Sequence, residues 1–170
     1  MGIAGGAKKC AYLIDELGFD AAVDHRAPDF AEQLAKACPD GIDVYFENVS
    51  GKVFDAVFPL FNQFARMPVC GTIAFYNATN FPEMETYVPT LMRAVLTKRL
   101  RIQGFIVYDF ASDYPDFARD MASWIEEGRV KYREDIVDGI EQAPEAFVGL
   151  LKGKNFGKLV VKVGADPVSS

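Results

Sequence analysis

Strand-like and helix-like segments alternate along nearly the whole of this sequence. That alternation restricts the fold more than any single motif does. Gly2–Ala4 reads as the last part of a strand. Ala7–Leu17 follows as a helix, with Cys10, Leu13, Ile14 and Leu17 on one face and Gly18 at its end. Phe19–Asp24 reads as a short strand, and Asp29–Cys38 as a helix closed by the turn Pro39-Asp40-Gly41. Ile42–Val49 is strand-like, with Val44 and Phe46 on one face and Tyr45 on the other. Lys52–Phe61 reads as a helix, Arg66–Gly71 as a strand and Asn77–Pro82 as a loop.

The second half repeats the pattern. Glu85–Lys98 is a helix with the stripe Val88, Leu91, Met92, Val95 and Leu96, and Ile102–Tyr108 is expected as a long buried strand. Pro115–Glu127 is a helix expected to turn Phe117, Met121, Trp124 and Ile125 inward. Lys131–Val137 is a strand, Pro144–Lys152 a helix with proline in its first turn, and Leu159–Val163 the last strand before a frayed tail, Ala165–Ser170. Parallel strands need crossover connections, so the expected fold is α/β: a doubly wound parallel sheet with helices on both faces and one strand edge missing. Ligands of such sheets gather at the carboxyl ends of the strands. Ala4–Gly6, Asp24–Arg26, Asn48–Gly51, Gly71–Tyr76 and Val107–Asp109 are expected to share that rim.

A chain of 170 residues suits one domain with a proper core. The net charge, 18 − 24 = −6, argues against a nucleic-acid partner, and the one dense basic run is Lys98–Arg101. Cys10, Cys38 and Cys70 form no ligand pair or cluster, so no metal site is expected. Buried, reduced thiols of a cytoplasmic protein are the plain reading. No apolar stretch approaches the ~20 residues that span a bilayer, so no membrane partner is expected, and no secretory signal is visible at the start.

Three segments point to a dinucleotide: Gly2–Lys9, Ile42–Val49 and Lys152–Lys158. Gly5 and Gly6 allow close backbone approach and aim bare amides and a lysine at an anion. An acid near this turn would suit the ribose hydroxyl of NAD, and a base the 2′-phosphate of NADP. The turn carries no acid and two lysines, Lys8 and Lys9, which favours NADP(H); the alternative is an exposed helix start with solvated lysines. Asn48 offers a donor and an acceptor to a ribose or an amide, or else caps a turn. His25 could meet a phosphate when protonated, or sit in an exposed loop. Tyr76 could donate to a developing oxyanion, or pack in the core.

With these residues in place, the chain resembles the zinc-less medium-chain dehydrogenase/reductases of the prostaglandin reductase, leukotriene B4 12-hydroxydehydrogenase, curcumin reductase and alkenal double-bond reductase type. The resemblance runs in order through Gly2–Lys9, Leu17–Ala22, Asp43–Val49, Cys70–Asn77, Gly104–Tyr108 and Leu151–Lys158. It implies that Lys9 binds the 2′-phosphate and that Asn48 and Asn155 contact the cofactor. It places Cys70, Gly71, Thr72, Ile73 and Tyr76 near the nicotinamide, and the Phe105, Ile106 and Val107 backbone at its amide. It makes Tyr76 an aid to protonation. The implied reaction is hydride transfer from NADPH to the β-carbon of an α,β-unsaturated ketone or aldehyde, and relatives form dimers, with Ile102–Tyr108 as a candidate pairing edge.

The chain also departs from those relatives. His25 stands in place of a tyrosine, which implies cofactor affinity rising as pH falls through the imidazole titration. Ser50 stands where glycine is usual, and is strained if φ is positive there. The expected division is a truncated Rossmann-type NADP(H)-binding domain over 1–153 and a segment over 154–170 that in relatives returns to a catalytic domain. The chain opens at the second strand, without the first strand and its glycine-rich turn, and so looks like a fragment. Alone it is expected to bind cofactor poorly and to turn over little or nothing. The rival expectations are a non-catalytic remnant and an unrelated doubly wound domain such as a methyltransferase.

Overall fold

The computed structural model describes residues 1–77 and 87–165, with the backbone alone of Tyr87. Most of the expected Asn77–Pro82 loop, the start of the Glu85–Lys98 helix and most of the tail lie outside the described residues. The order is β1 (Gly2–Ala4), α1 (Ala7–Asp15), β2 (Ala22–Asp24), α2 (Phe30–Ala37), β3 (Ile42–Val44), α3 (Lys52–Val57) and β4 (Phe61–Val69). Then come α4 (Tyr87–Lys98), β5 (Arg101–Gly104), α5 (Tyr114–Glu126), β6 (Glu134–Asp138), α6 (Ala143–Leu151) and β7 (Lys158–Lys162). The α/β alternation stands, and every strand pairing is parallel. Among the described residues the strands form three parallel pieces, β1-β2, β3-β4-β5 and β6-β7.

Local sequence explains most boundaries. Gly6 opens α1 at φ 97° and Gly18 ends it at φ 71°, with the Gly18 and Phe19 amides donating back to Ile14 and Leu13 at 3.2 and 2.9 Å. Gly41 takes φ 79° in the turn before β3. α3 stops short of the expected Phe61 because Pro59 enters a 3₁₀ turn, Phe58–Leu60, after which Phe61 is extended. β4 therefore starts at Phe61, well ahead of the expected Arg66. Ile42 lies opposite Phe61 and Val44 opposite Arg66, so β4 advances five residues while β3 advances two. Phe64, at φ 64°, sits inside the surplus.

The core lies between α2, α3, β2 and β4. Val23, Phe30, Leu34, Val53, Phe61 and Met67 are among its members, and Leu34 and Val57 are fully buried. Burial of each such side chain stabilises the fold by about 2 kcal/mol. Among the described residues, none beyond Met67 is buried. The expected inward stripes are corrected accordingly. Ile14 of α1, Val88, Met92 and Leu96 of α4, and Phe117, Trp124 and Ile125 of α5 are exposed. Periodicity marks an apolar face but not what covers it. β5 is exposed along its length, and the chain leaves the strand at Gly104 to enter a 3₁₀ segment, Val107–Asp113. The buried strand expected through Tyr108 is thus short and open. The thiols are not buried either: Cys10 and Cys38 are half-buried and Cys70 is exposed.

Candidate cofactor site

The carboxyl end of β1 runs into α1 through Gly5 and Gly6. The Gly6 amide donates to Asp24 Oδ1 at 2.9 Å, and the Arg26 amide donates to the same oxygen at 2.9 Å. These two hydrogen bonds, the Gly6 one foremost, hold the Asp24 carboxyl below its ordinary pKa. Two expectations change here. An acid does reach the turn, from β2, and the Gly6 amide is committed to it rather than bare. The accepting oxygen of Asp24 is in turn committed to main-chain donors.

Basic groups crowd the same turn. A Cβ on Gly5 would meet His25 Nε2 at 2.9 Å and Arg26 Nε at 3.0 Å. Lys9 Nζ donates to the Gly153 carbonyl at 3.1 Å. A Cβ on Gly153 would meet Arg26 Nη2 at 3.0 Å. Gly5, Gly6, Lys9 and His25 are therefore brought together, joined by Arg26 and Gly153, which sequence reasoning missed. Arg26 had a signal: it lies in the rim segment Asp24–Arg26, where a base selects NADP.

A second cluster forms at the end of β3. Glu47 is buried to 2% exposure, and its Oε1 accepts the Val49 and Ser50 amides at 2.6 and 2.7 Å and the Tyr45 hydroxyl at 3.2 Å. Burial above all, and then the Glu47 charge, push the Tyr45 phenol well above its usual pKa. The carboxylate shapes the turn after Asn48, where Ser50 and Gly51 adopt φ 68° and 56°. The Cys70–Ile73 segment is stitched to this turn. The Cys70 and Gly71 amides donate to the Glu47 carbonyl, and the Ile73 amide to the Asn48 carbonyl. A Cβ on Gly71 would lie 2.5 Å from Asn48 Oδ1 and 3.3 Å from the Tyr76 hydroxyl. Asn48, Gly71 and Tyr76 thus share one pocket of space, and Cys70, Thr72 and Ile73 frame it. Tyr76 is 63% exposed, so core packing does not describe it.

Phe105 joins the second cluster: its amide donates to the Val69 carbonyl at 3.3 Å, and its ring stands edge-on to Phe46 at 6.1 Å. Ile106 and Val107 follow it, exposed. Asn155 lies elsewhere, its amide nitrogen donating to the Gly157 carbonyl at 2.7 Å. Its neighbour Phe156 carries the tie to the first cluster, with Tyr12 at 5.3 Å and the Lys8 amine 5.3 Å from its ring centroid. Among the described residues, no group of His, Cys, Asp and Glu is arranged to hold a metal, and no helix is long and apolar enough to cross a membrane.

The geometry fits an anionic, elongated ligand: a glycine turn ringed by bases, and a polar notch that a Cβ at position 71 would fill. Comparison with known proteins agrees in fold. The chain is 56% identical over 167 residues to a protein named NADPH-dependent curcumin reductase from Escherichia coli, covering 98% of this chain and 48% of that protein. It is 40% identical over 167 residues to a 2-alkenal reductase (NADP(+)-dependent) from Nicotiana tabacum, covering 98% of this chain and 47% of that protein. The crystal structure of CurA from Vibrio vulnificus in complex with NADPH superimposes with a TM-score of 0.93 at 55% identity, over 97% of this chain and 49% of that one. The chain spans about half the length of these relatives. Residues 17–161 match the family described as zinc-binding dehydrogenase, and the chain belongs to that family.

Proposed function

We propose that this chain is the NADP(H)-binding portion of an oxidoreductase that reduces the carbon–carbon double bond of α,β-unsaturated ketones or aldehydes. The observation that carries the reading is the convergence of Lys9, His25 and Arg26 on the Gly5–Gly6 turn. Clustered Lys and Arg donors suit a phosphate monoester, which Arg can grip with two parallel bonds. The names of the relatives support the choice of NADPH over NADH.

When bound, the nicotinamide supplies the hydride. The chain's own part is binding and orientation. Lys9 and Arg26 hold the 2′-phosphate, and His25 adds a third contact. Asn48 presents its amide to the ribose or nicotinamide side. The Cys70–Ile73 segment and the backbone of Phe105, Ile106 and Val107 line the ring's path, and Asn155 closes the far end. The Tyr76 hydroxyl donates to the oxygen of the substrate carbonyl as negative charge develops there.

A second reading is favoured by the exposure of Tyr76, Ile106 and Val107. Hydride transfer is helped by excluding water, so on this reading these residues by themselves bind nucleotide without turnover. Calorimetric titration with NADPH and NADH tests the first claim: NADPH binds with the higher affinity. Absence of heat with either nucleotide, or equal affinities, overturns it. Oxidation of NADPH by an enone with this chain alone separates turnover from binding.

A further inference from the structure

The notch shared by Asn48, Gly71 and Tyr76 is built from two segments, residues 48–51 and 70–76, and both hang from Glu47. The Glu47 main chain holds the second segment. Its carbonyl accepts the Cys70 and Gly71 amides at 2.9 and 3.3 Å, and its own amide donates to the Pro68 carbonyl at 3.0 Å. The Glu47 side chain holds the first segment, with Oε1 accepting the Val49 and Ser50 amides at 2.6 and 2.7 Å. Asn48 is thus bracketed by one anchor before it and one after it, and both anchors belong to Glu47.

The two segments are linked again further on. The Ile73 amide donates to the Asn48 carbonyl at 3.2 Å, the Ala74 amide to the Val49 carbonyl at 2.9 Å, and the Tyr76 amide to the Ile73 carbonyl at 3.2 Å. A shift of the 48–51 turn is therefore passed to Tyr76 through main-chain bonds. The turn needs its anchor: Ser50 takes φ 68°, a region unfavourable for a residue with a side chain.

Successive amides that converge on one point form a cradle for an anion. Here the cradle holds the chain's own carboxylate, shielded from water at 2% exposure. Burial keeps the Tyr45 hydroxyl protonated, so it remains a donor to the same oxygen at 3.2 Å. A cradle filled in this way does not take a ligand phosphate. That leaves this end of the site to the uncharged part of a dinucleotide, while Lys9, His25 and Arg26 serve the phosphate at the other.

We propose that Glu47 is a positioning residue for the nicotinamide side of the cofactor: by accepting the Val49 and Ser50 amides it sets the Asn48 side chain against the Gly71 backbone and the Tyr76 hydroxyl. It touches neither cofactor nor substrate. This role rests on the cofactor reading above, and adds that the two ends of the ligand answer to different residues.

The test uses the whole chain and two ligands, NADPH and adenosine 2′,5′-bisphosphate, which carries the 2′-phosphate but no nicotinamide. Calorimetry of Glu47→Ala is expected to show NADPH affinity lowered about tenfold and adenosine 2′,5′-bisphosphate affinity within about twofold of the wild type. A change that only destabilises the fold lowers both affinities by one factor, because each ligand needs the folded chain. Glu47→Gln keeps the acceptor oxygen and is expected to bring NADPH affinity back to within about threefold of the wild type. If Glu47→Ala does not fold, Glu47→Met, which keeps the buried volume, takes its place with the same expected split. Equal loss for the two ligands, unaltered NADPH affinity on losing the carboxylate, or no recovery in Glu47→Gln overturns the positioning role and leaves the cofactor reading standing. A wild type that binds neither ligand overturns both.

Discussion

Lys9 Nζ donates to the carbonyl oxygen of Gly153 at 3.1 Å, across 144 residues of sequence. The bond ties α1 to the loop after α6 and parks the amine where Arg26 also arrives. A cation satisfied by one neutral carbonyl keeps donors to spare, since an ammonium has three. A phosphate entering between Lys9 and Arg26 would meet preassembled charge.

Ser50→Gly is expected to stabilise the chain. Ser50 holds φ 68°, where a side chain costs about 1–2 kcal/mol. Glycine removes that strain but adds roughly 0.4–1 kcal/mol of unfolded-state entropy. The net gain is up to about 1.6 kcal/mol, or at most about 6 °C in Tm. Thermal unfolding checks it, and a lower Tm would contradict the strain argument.

Glu47→Ala is expected to be among the most damaging single changes. It orphans the Val49 and Ser50 amides, both within 2.7 Å of the carboxylate. Two unpaired amides cost roughly 2–5 kcal/mol. Glu47→Gln keeps an acceptor oxygen and recovers part of the loss. Urea unfolding of the pair reads this, and equal damage from both variants would show that charge, not acceptance, matters.

Asp24→Asn is expected to change the acid limb of stability. The Asp24 carboxyl has its pKa lowered in the fold by the Gly6 and Arg26 amides. A lowered folded pKa contributes stability that is present above the ordinary carboxylate range and is lost as pH falls through the folded value. The wild type therefore exceeds the variant at neutral pH and converges with it below about pH 4. Melting from pH 7 to pH 3 measures this, and a gap that widens on acidification would contradict it.

Gly71→Ala is expected to harm the site more than the fold. The added methyl would lie 2.5 Å from Asn48 Oδ1, so the Asn48 side chain must turn away. NADPH affinity should fall about tenfold, as for a lost hydrogen bond, while urea unfolding changes little. Unaltered affinity would remove Asn48 from the site.

Much of this fold is legible in the sequence because its signals are local. Gly18 and Gly41 punctuate their elements, and the strand expected over Ile42–Val49 is present, though it ends at Val44. What escaped is non-local. The slip between β3 and β4 depends on Phe64, a residue with no turn signature. The open faces of α4 and α5 look identical in sequence to covered ones. Asp24 reaches Gly6 across 18 residues, so the acid at the glycine turn was invisible in the turn's own sequence. Arg26 was legible but overshadowed by Lys9, which the family resemblance names directly.

The central claim is that Lys9 and Arg26 read the 2′-phosphate together. The most direct measurement is the ratio of NADPH to NADH affinity in the wild type, Lys9→Ala, Arg26→Ala and the double variant. Each single change should lower the ratio by about tenfold through loss of NADPH affinity alone, as expected for a charge-assisted hydrogen bond, and the double variant should bring it close to one. A ratio that survives both substitutions would contradict the account.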